Sequence, residues 1–274
     1  MKTEKKLKLG LIGCGKMGRA LIEGALRDKV VAPEDVFVSS RTPSAIETIT
    51  SELGVTAVET NVEVASRSDV VLLCTKPADI PLVLLELANE SDCLTSTLLI
   101  SAAAGLTIAQ QEKFLPLGVR LVRCMPNTPA LIGQGAAAYS LGTSATDADA
   151  ELTCRVLGAS GSVIEVKEKL INAVTGVSGS GPAYVYTFIE ALADGGVAEG
   201  LPRSQALELA VKTVQGAAGM VAETGLHPAI LRDMVTSPGG TTIEAVCALE
   251  DHGFRAAVIS AVRTASQKAK EMGE

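Results

Sequence analysis

The chain has 274 residues, a formal net charge of −7 and 47% hydrophobic residues, enough apolar content for one large or two ordinary globular domains. Lysine and arginine are thinly spread, so there is no basic stripe to follow a phosphate backbone, and nucleic acid is not an expected partner. Six cysteines (Cys14, Cys74, Cys93, Cys124, Cys154, Cys247) lie far apart without C-x-x-C spacing. They read as buried free thiols in a reducing compartment, and with no secretory leader at the start the expected location is cytoplasmic.

From Leu7 to about Val166 short apolar runs alternate with helical patterns: KLGLIG, DVFVSS, VTAV, DVVLLCT, TLLISAA, RLVRCMP, GAAAYSL and SVIEV. Several are apolar at nearly every position, as strands of a parallel sheet buried on both faces should be. Helices such as Lys16–Lys29, Ser44–Leu53 and Asp147–Ala159 fall between them. The expected fold is therefore α/β, a doubly wound Rossmann-type sheet over residues 1–166.

The first strand runs into GCGKMG, placing Gly13, Gly15 and Gly18 in G-x-G-x-x-G spacing between a strand and a helix. The first glycine makes the tight turn, the second admits a pyrophosphate to the backbone, and the third lets helix meet strand. Lys16 and Met17, which open the helix, complete the expected dinucleotide contact. At the end of the second strand an Asp or Glu would accept from a ribose hydroxyl, but this chain reads Ser39-Ser40-Arg41-Thr42. Arg41 beside hydroxyls can neutralise a 2′-phosphate, which favours NADPH with NADH still possible. Later strands end in CTKP, SAAAG and CMPNTP, so Thr75, Lys76, Pro77, Ala103, Ala104 and Asn127 are expected along the nicotinamide half of the ligand crevice.

Two segments, Cys93–Gln111 and Cys124–Thr146, lack charge over about the length of a bilayer span. Both break into strand-like and helix-like pieces, and no span is expected.

After Val166 the pattern is helical: Pro182–Glu199, Pro202–Glu223, Pro228–Val235, Thr242–Asp251 and Phe254–Met272. Prolines 182, 202 and 228 fall in first turns, where a missing N–H costs nothing. Residues 167–274 thus form a second, all-helical domain. Its long helices are apolar around most of their circumference, as in AVKTVQGAAGMVAETG, so they are expected to bury against a second copy in an obligate homo-oligomer. The join carries SGSGPAY, where small residues allow close approach. In β-hydroxyacid dehydrogenases the helix after such a turn carries a catalytic lysine, whereas Pro182–Leu192 contains none.

In TSPGGTTIEAV, Thr241 and Glu244 have capping-box spacing. Gly239 and Gly240 ahead of them leave backbone N–H groups open to a carboxylate, and Thr242 keeps its hydroxyl for a ligand. His227 and His252 sit at helix ends, and Glu190 with Asp194 reads as a solvated or interface face. No metal-ligand cluster is evident.

With GCGKMG, CTKP, SAAAG, RCMPNTP, GVSGSGPAYVYTFIEALADGGVAEGLPR and SPGGTTIEAV in this order, the whole chain resembles the pyrroline-5-carboxylate reductase family. That resemblance implies a Rossmann domain followed by a helical dimerisation domain and the reduction of a cyclic imine acid to proline. It implies that Gly239, Gly240 and Thr241 hold the substrate carboxylate, that Thr242 hydrogen-bonds the ring nitrogen, and that each site forms at a dimer interface. Another imine-acid or keto-acid reductase on the same scaffold, or a non-catalytic NADPH-binding protein, would share the cofactor features.

Overall fold

A computed structural model describes residues 6–273 of the chain. The chain divides into two compact units, Met1–Ser180 with Thr264–Glu274, and Gly181–Arg263, so the break falls within SGSGPAY.

The first unit holds one sheet of eight strands: β1 (Leu9–Ile12), β2 (Val36–Ser39), β3 (Thr56–Ala57), β4 (Val70–Leu73), β5 (Leu98–Ser101), β6 (Arg120–Met125), β7 (Gly135–Leu141) and β8 (Gly161–Glu165). Their spatial order is β3-β2-β1-β4-β5-β6-β7-β8. All eight coincide with runs read from the sequence, β8 starting one residue early at Gly161. The sheet is not wholly parallel, however, because β7 runs antiparallel to β6 while β8 is parallel to β7. The physical reason is loop length. The Pro126–Gln134 segment is too short for a crossover and can only reverse the chain, whereas helix Asp147–Gly158 carries the chain back from β7 to β8.

Helices of this unit are α1 (Lys16–Arg27), α2 (Pro43–Leu53), α3 (Asn61–Ser66), α4 (Ile80–Asn89), α5 (Ile108–Glu112), α6 (Asp147–Gly158) and α7 (Ile171–Val174). Side chains alternate across the strands, so the sheet has two cores. Leu9, Leu11, Val36, Val38, Val70, Leu72, Leu98 and Ile100 meet Leu21 and Ile22 of α1 and Val156 and Leu157 of α6. Ile12, Phe37, Val71, Leu73 and Leu99 meet α3, α4 and α5 through Val64, Ile80, Leu84, Leu87 and Ile108. This is the doubly wound arrangement, with helices on both faces. A capping box with Thr146 and Asp149 fixes the start of α6.

The second unit contains α8 (Gly181–Ala198), α9 (Arg203–Thr224), α10 (Pro228–Met234), α11 (Thr241–Asp251) and most of α12 (Phe254–Glu271). The last turns of α12 belong with the first unit, where Gln110 Nε2 donates to the carbonyl of Gly273 at 2.5 Å. The buried cluster of the second unit consists of Ala193, Ala206 and Ala210. Val185, Tyr186, Phe188, Leu209, Met220 and Ile259 are exposed. Such a surface matches the reading of helices apolar nearly all round. None of the described helices is long and apolar enough to cross a membrane.

The cysteines are free. Burial holds for Cys14 and Cys124 but not for Cys154 and Cys247, which the reading as buried thiols had included. Cys154 lies on α6, where its Sγ still donates to the Tyr139 hydroxyl at 3.4 Å, and Cys247 lies on α11, which has no buried residue.

Candidate active site

The turn after β1 is built for close approach. Gly13 has φ +101°, and a Cβ there would lie 2.8 Å from the backbone of Cys74 and Thr75, so only glycine serves. At Gly18 a Cβ would lie 2.5 Å from the carbonyl oxygen of Gly13, which explains how α1 can sit so tightly on β1. Gly15 is different, because its Cβ position faces open space. Gly15 caps α1 with extended backbone and no side-chain hydrogen bond, and no acidic residue occupies the first turn. The helix therefore presents unsatisfied N–H groups and a partial positive charge at an open surface. Lys16 is exposed beside it and Met17 is half-buried against the core. Thr75 Oγ1 is buried without a hydrogen-bond partner among the described residues. An open glycine cradle, an uncapped helix and an orphaned hydroxyl fit a dinucleotide pyrophosphate.

At the end of β2, Ser39 is turned inward. Its hydroxyl donates to Asn61 Oδ1 at 2.7 Å, and Asn61 Nδ2 donates to Glu86 at 2.6 Å. The carbonyl of Ser39 accepts from the Gly13 N–H at 2.9 Å, holding the glycine turn. Ser40 Oγ accepts from the Thr42 N–H at 3.3 Å. Arg41 stands in solvent, 77% exposed, and forms an ion pair with Asp79.

Beyond β4, Lys76 is exposed and leads into a single 3-10 turn, Pro77–Asp79. Ala103 is buried and Ala104 half-buried after β5. Asn127 is buried and bonded at both ends of its amide: its Oδ1 accepts from the Ala136 N–H at 2.8 Å and its Nδ2 donates to the carbonyl of Ser178 at 3.0 Å. The sequence placed Asn127 in the crevice but gave no sign of this bridge, since Ser178 is 51 residues away along the chain.

Asn127 thereby anchors the SGSG segment. Residues Thr175–Gly179 form one π-helical turn, closed by the Ser180 N–H donating to the Thr175 carbonyl at 2.8 Å. Such turns occur frequently at functional sites. Gly179 leaves room for the end of Met125, which would lie 2.6 Å from a Cβ. A second unforeseen link is the ion pair of buried Arg123 with Glu168 at 3.1 Å, whose carboxylate also accepts from the Ile108 N–H at 2.5 Å.

Three thiols line the carboxyl ends of these strands. Burial pushes Cys14 up to about 11 and Cys74 up to about 12, the latter helped by the neighbouring Cys14. Burial also raises Cys124. At neutral pH all three are protonated, so none offers a thiolate nucleophile.

In the second unit, Gly239 has φ +65° and its Cβ position is open. Gly240 is the N-cap of α11, with φ −84° and ψ 172°, and its N–H donates to the Ser237 carbonyl at 3.1 Å, so this N–H is taken and not open to a carboxylate as the sequence led one to expect. The expected capping box of Thr241 and Glu244 does not form. Gly240 takes the cap position, Thr241 becomes the first helical residue, and the Glu244 N–H reaches the Gly240 carbonyl at 3.5 Å instead. Thr241 is exposed and Thr242 half-buried, both in a first turn whose N–H groups have no intrahelical acceptor. His227 Nδ1 accepts from the Ala229 N–H at 3.2 Å, and His252 Nδ1 lies 2.8 Å from the Ala248 carbonyl, so both histidines serve helix ends. Asp194 pairs with Arg203. No cluster of metal-ligating residues occurs among the described residues.

Residues 168–272 match the family described as pyrroline-5-carboxylate reductase dimerisation, and residues 8–105 the family described as NADP oxidoreductase, coenzyme F420-dependent. The pyrroline-5-carboxylate reductase of Methanosarcina acetivorans is 42% identical over 267 residues, 97% of this chain and 98% of that protein. A solved pyrroline-5-carboxylate reductase from Coxiella burnetii is similar at 35% identity with a TM-score of 0.91, covering 98% of this chain and all of that one. The Plasmodium falciparum pyrroline carboxylate reductase, solved with NADP bound, is similar at 33% identity and a TM-score of 0.86, covering 98% of each chain.

Proposed function

Since the chain belongs to the pyrroline-5-carboxylate reductase family, we infer that it reduces 1-pyrroline-5-carboxylate to L-proline, as an NAD(P)H-dependent oxidoreductase acting on a CH–NH group. The observation that carries this is likeness over the full chain with both glycine loops intact.

On this reading residues 1–166 bind the dinucleotide and 167–274 pair the copies and hold the substrate. The pyrophosphate lies at Gly13, Gly15, Lys16, Met17 and Gly18, where the N-terminus of α1 is uncapped and open. Ser39, Ser40 and Arg41 flank the adenosine ribose, and NADPH is preferred with NADH accepted. Thr75, Lys76, Pro77, Ala103, Ala104 and Asn127 border the nicotinamide half. Asn127 acts there by holding the π-helical turn through its bond to the Ser178 carbonyl.

The bound nicotinamide supplies a hydride to the imine carbon. The protein's share is orientation. The loop Gly239, Gly240 and Thr241 holds the substrate carboxylate at the N-terminus of α11, where the helix dipole favours an anion, with Gly240 shaping the turn through its N–H to Ser237 and the first-turn N–H groups meeting the anion. Thr242, in the first turn, aligns the ring nitrogen through its hydroxyl. An iminium carbon is already electrophilic and its reduction leaves a neutral amine, so no side-chain base has to remove a proton from carbon.

We further propose that the copies pair through the apolar helices of the second unit, and that the Gly239–Thr242 loop of one copy completes the site on the other. The exposure of Phe188, Leu209 and Ile259 supports pairing. Free thiols fit a cytoplasmic setting.

The test is to mix purified protein, NADPH and pyrroline-5-carboxylate and follow loss of reduced-nicotinamide absorbance with proline as product. Stoichiometric proline is the expected result. Cofactor binding without oxidation would move the assignment to another imine acid or to a non-catalytic NADPH-binding protein.

A further inference from the structure

Strand order places β2 and β4 on either side of β1. The loop after β2 and the loop after β4 therefore stand on opposite sides of the glycine turn that follows β1. The Arg41–Asp79 ion pair spans that interval. Neither backbone needs it. The 3-10 turn is closed by the Asp79 N–H donating to the Lys76 carbonyl at 2.9 Å, and the bend at Arg41 by the Thr42 N–H donating to Ser40 Oγ at 3.3 Å. The guanidinium is largely in solvent while the Asp79 carboxylate is only about one-fifth exposed, and pairs with an exposed partner add little to stability.

The pair bears instead on the charge at the adenosine end. The end of β2 carries no carboxylate for a ribose hydroxyl, and Asp79 brings one to the same place from the neighbouring loop. A 2′-phosphate carries about −1.5 to −2 charges. A phosphate that takes the paired Arg41 N–H group displaces Asp79, and one that takes the remaining N–H groups still has the Asp79 carboxylate beside it as a like charge. A 2′-hydroxyl makes neither demand.

We propose that Asp79 is a specificity residue for the cofactor: by holding Arg41 across the glycine turn it restrains binding of the 2′-phosphate and keeps NADH usable. This rests on the dinucleotide reading of the site. It is tested by equilibrium titration, without turnover, of NADPH, NADH, 2′,5′-ADP and ADP into the full-length protein and its Asp79→Asn variant. Asparagine keeps the shape of the turn and removes the charge. NADPH and 2′,5′-ADP should tighten by about fivefold, the upper range for an ion pair with an exposed partner, while NADH and ADP stay within about twofold. In an Arg41→Ala background the same change should have a smaller effect, because there is no guanidinium to release. Unchanged or weakened 2′,5′-ADP binding in Asp79→Asn would overturn the proposal and leave Asp79 as a plain anchor for Arg41. Failure of the unaltered protein to bind either dinucleotide would instead overturn the dinucleotide reading itself.

Discussion

The two units bury their apolar residues in different ways. The sheet unit closes two cores of its own, with β1, β2, β4 and β5 buried along their whole length. The helical unit buries little more than three alanines and leaves Leu209 57% and Ile259 59% exposed. A helix needs a partner for every apolar stripe it carries, whereas a sheet layered between helices supplies its own on both faces. The sheet unit thus closes its own cores, and under the pairing proposed above the helical unit is completed by another copy.

Substitutions should separate these two modes. The largest effect is expected from Leu209→Asp in α9, which places a charge on a face meant for burial. Dimer dissociation should strengthen by at least about a hundredfold, read by sedimentation, and activity should fall with it. Leu117, fully exposed in the sheet unit, is the control, and Leu117→Asp should change neither. Next, Leu72→Ala opens a cavity in the sheet core, where the residue is completely buried. It should cost about 3 kcal/mol in denaturant unfolding while leaving association between folded copies intact.

Thr242→Ala removes a single hydroxyl and should lower turnover on the order of tenfold with dinucleotide affinity preserved. Unchanged turnover would remove Thr242 from the mechanism. The smallest effect concerns pH. Cys14 and Cys74 are raised by burial from the ordinary value of 9.0 to about 11 and about 12. The folded state therefore holds protons that the unfolded chain releases. The stability this represents is complete below about pH 9 and is lost as pH rises through 11 and 12. Urea midpoints should decline over that window, and a Cys74→Ser variant should show a shallower decline.

Much of this was legible in the sequence because it is local. Strand runs, the first-turn prolines 182 and 228 and the glycine spacing at Gly13, Gly15 and Gly18 each depend on neighbours a few residues away; Pro202, expected in a first turn as well, is instead the cap that precedes α9. What escaped is non-local or turns on one backbone angle. The reversal at β7 depends on a loop too short for a crossover. The bridge through Asn127 joins residues 51 apart, and the Arg41–Asp79 pair residues 38 apart. At α11 the sequence pointed to Thr241 as the cap, and the extended backbone of Gly240 puts the cap one residue earlier. The residues of the SPGGTT loop were readable, but their relation to a bound substrate came from family resemblance and not from spacing.

Subunit complementation would decide whether each site is shared between two copies. Gly15→Asp should fold, since a Cβ there meets no atom, yet it sets a carboxylate against the incoming pyrophosphate. Thr242→Ala spares the cofactor site and damages the substrate loop. Each inactive or weakened protein is measured alone and then after the two are dissociated and reassembled together. If one copy's loop serves the other copy's dinucleotide, half the mixed dimers' sites regain both intact halves, and activity should recover to about a quarter of the unaltered enzyme. Activity no higher than the average of the two parents would contradict a shared site.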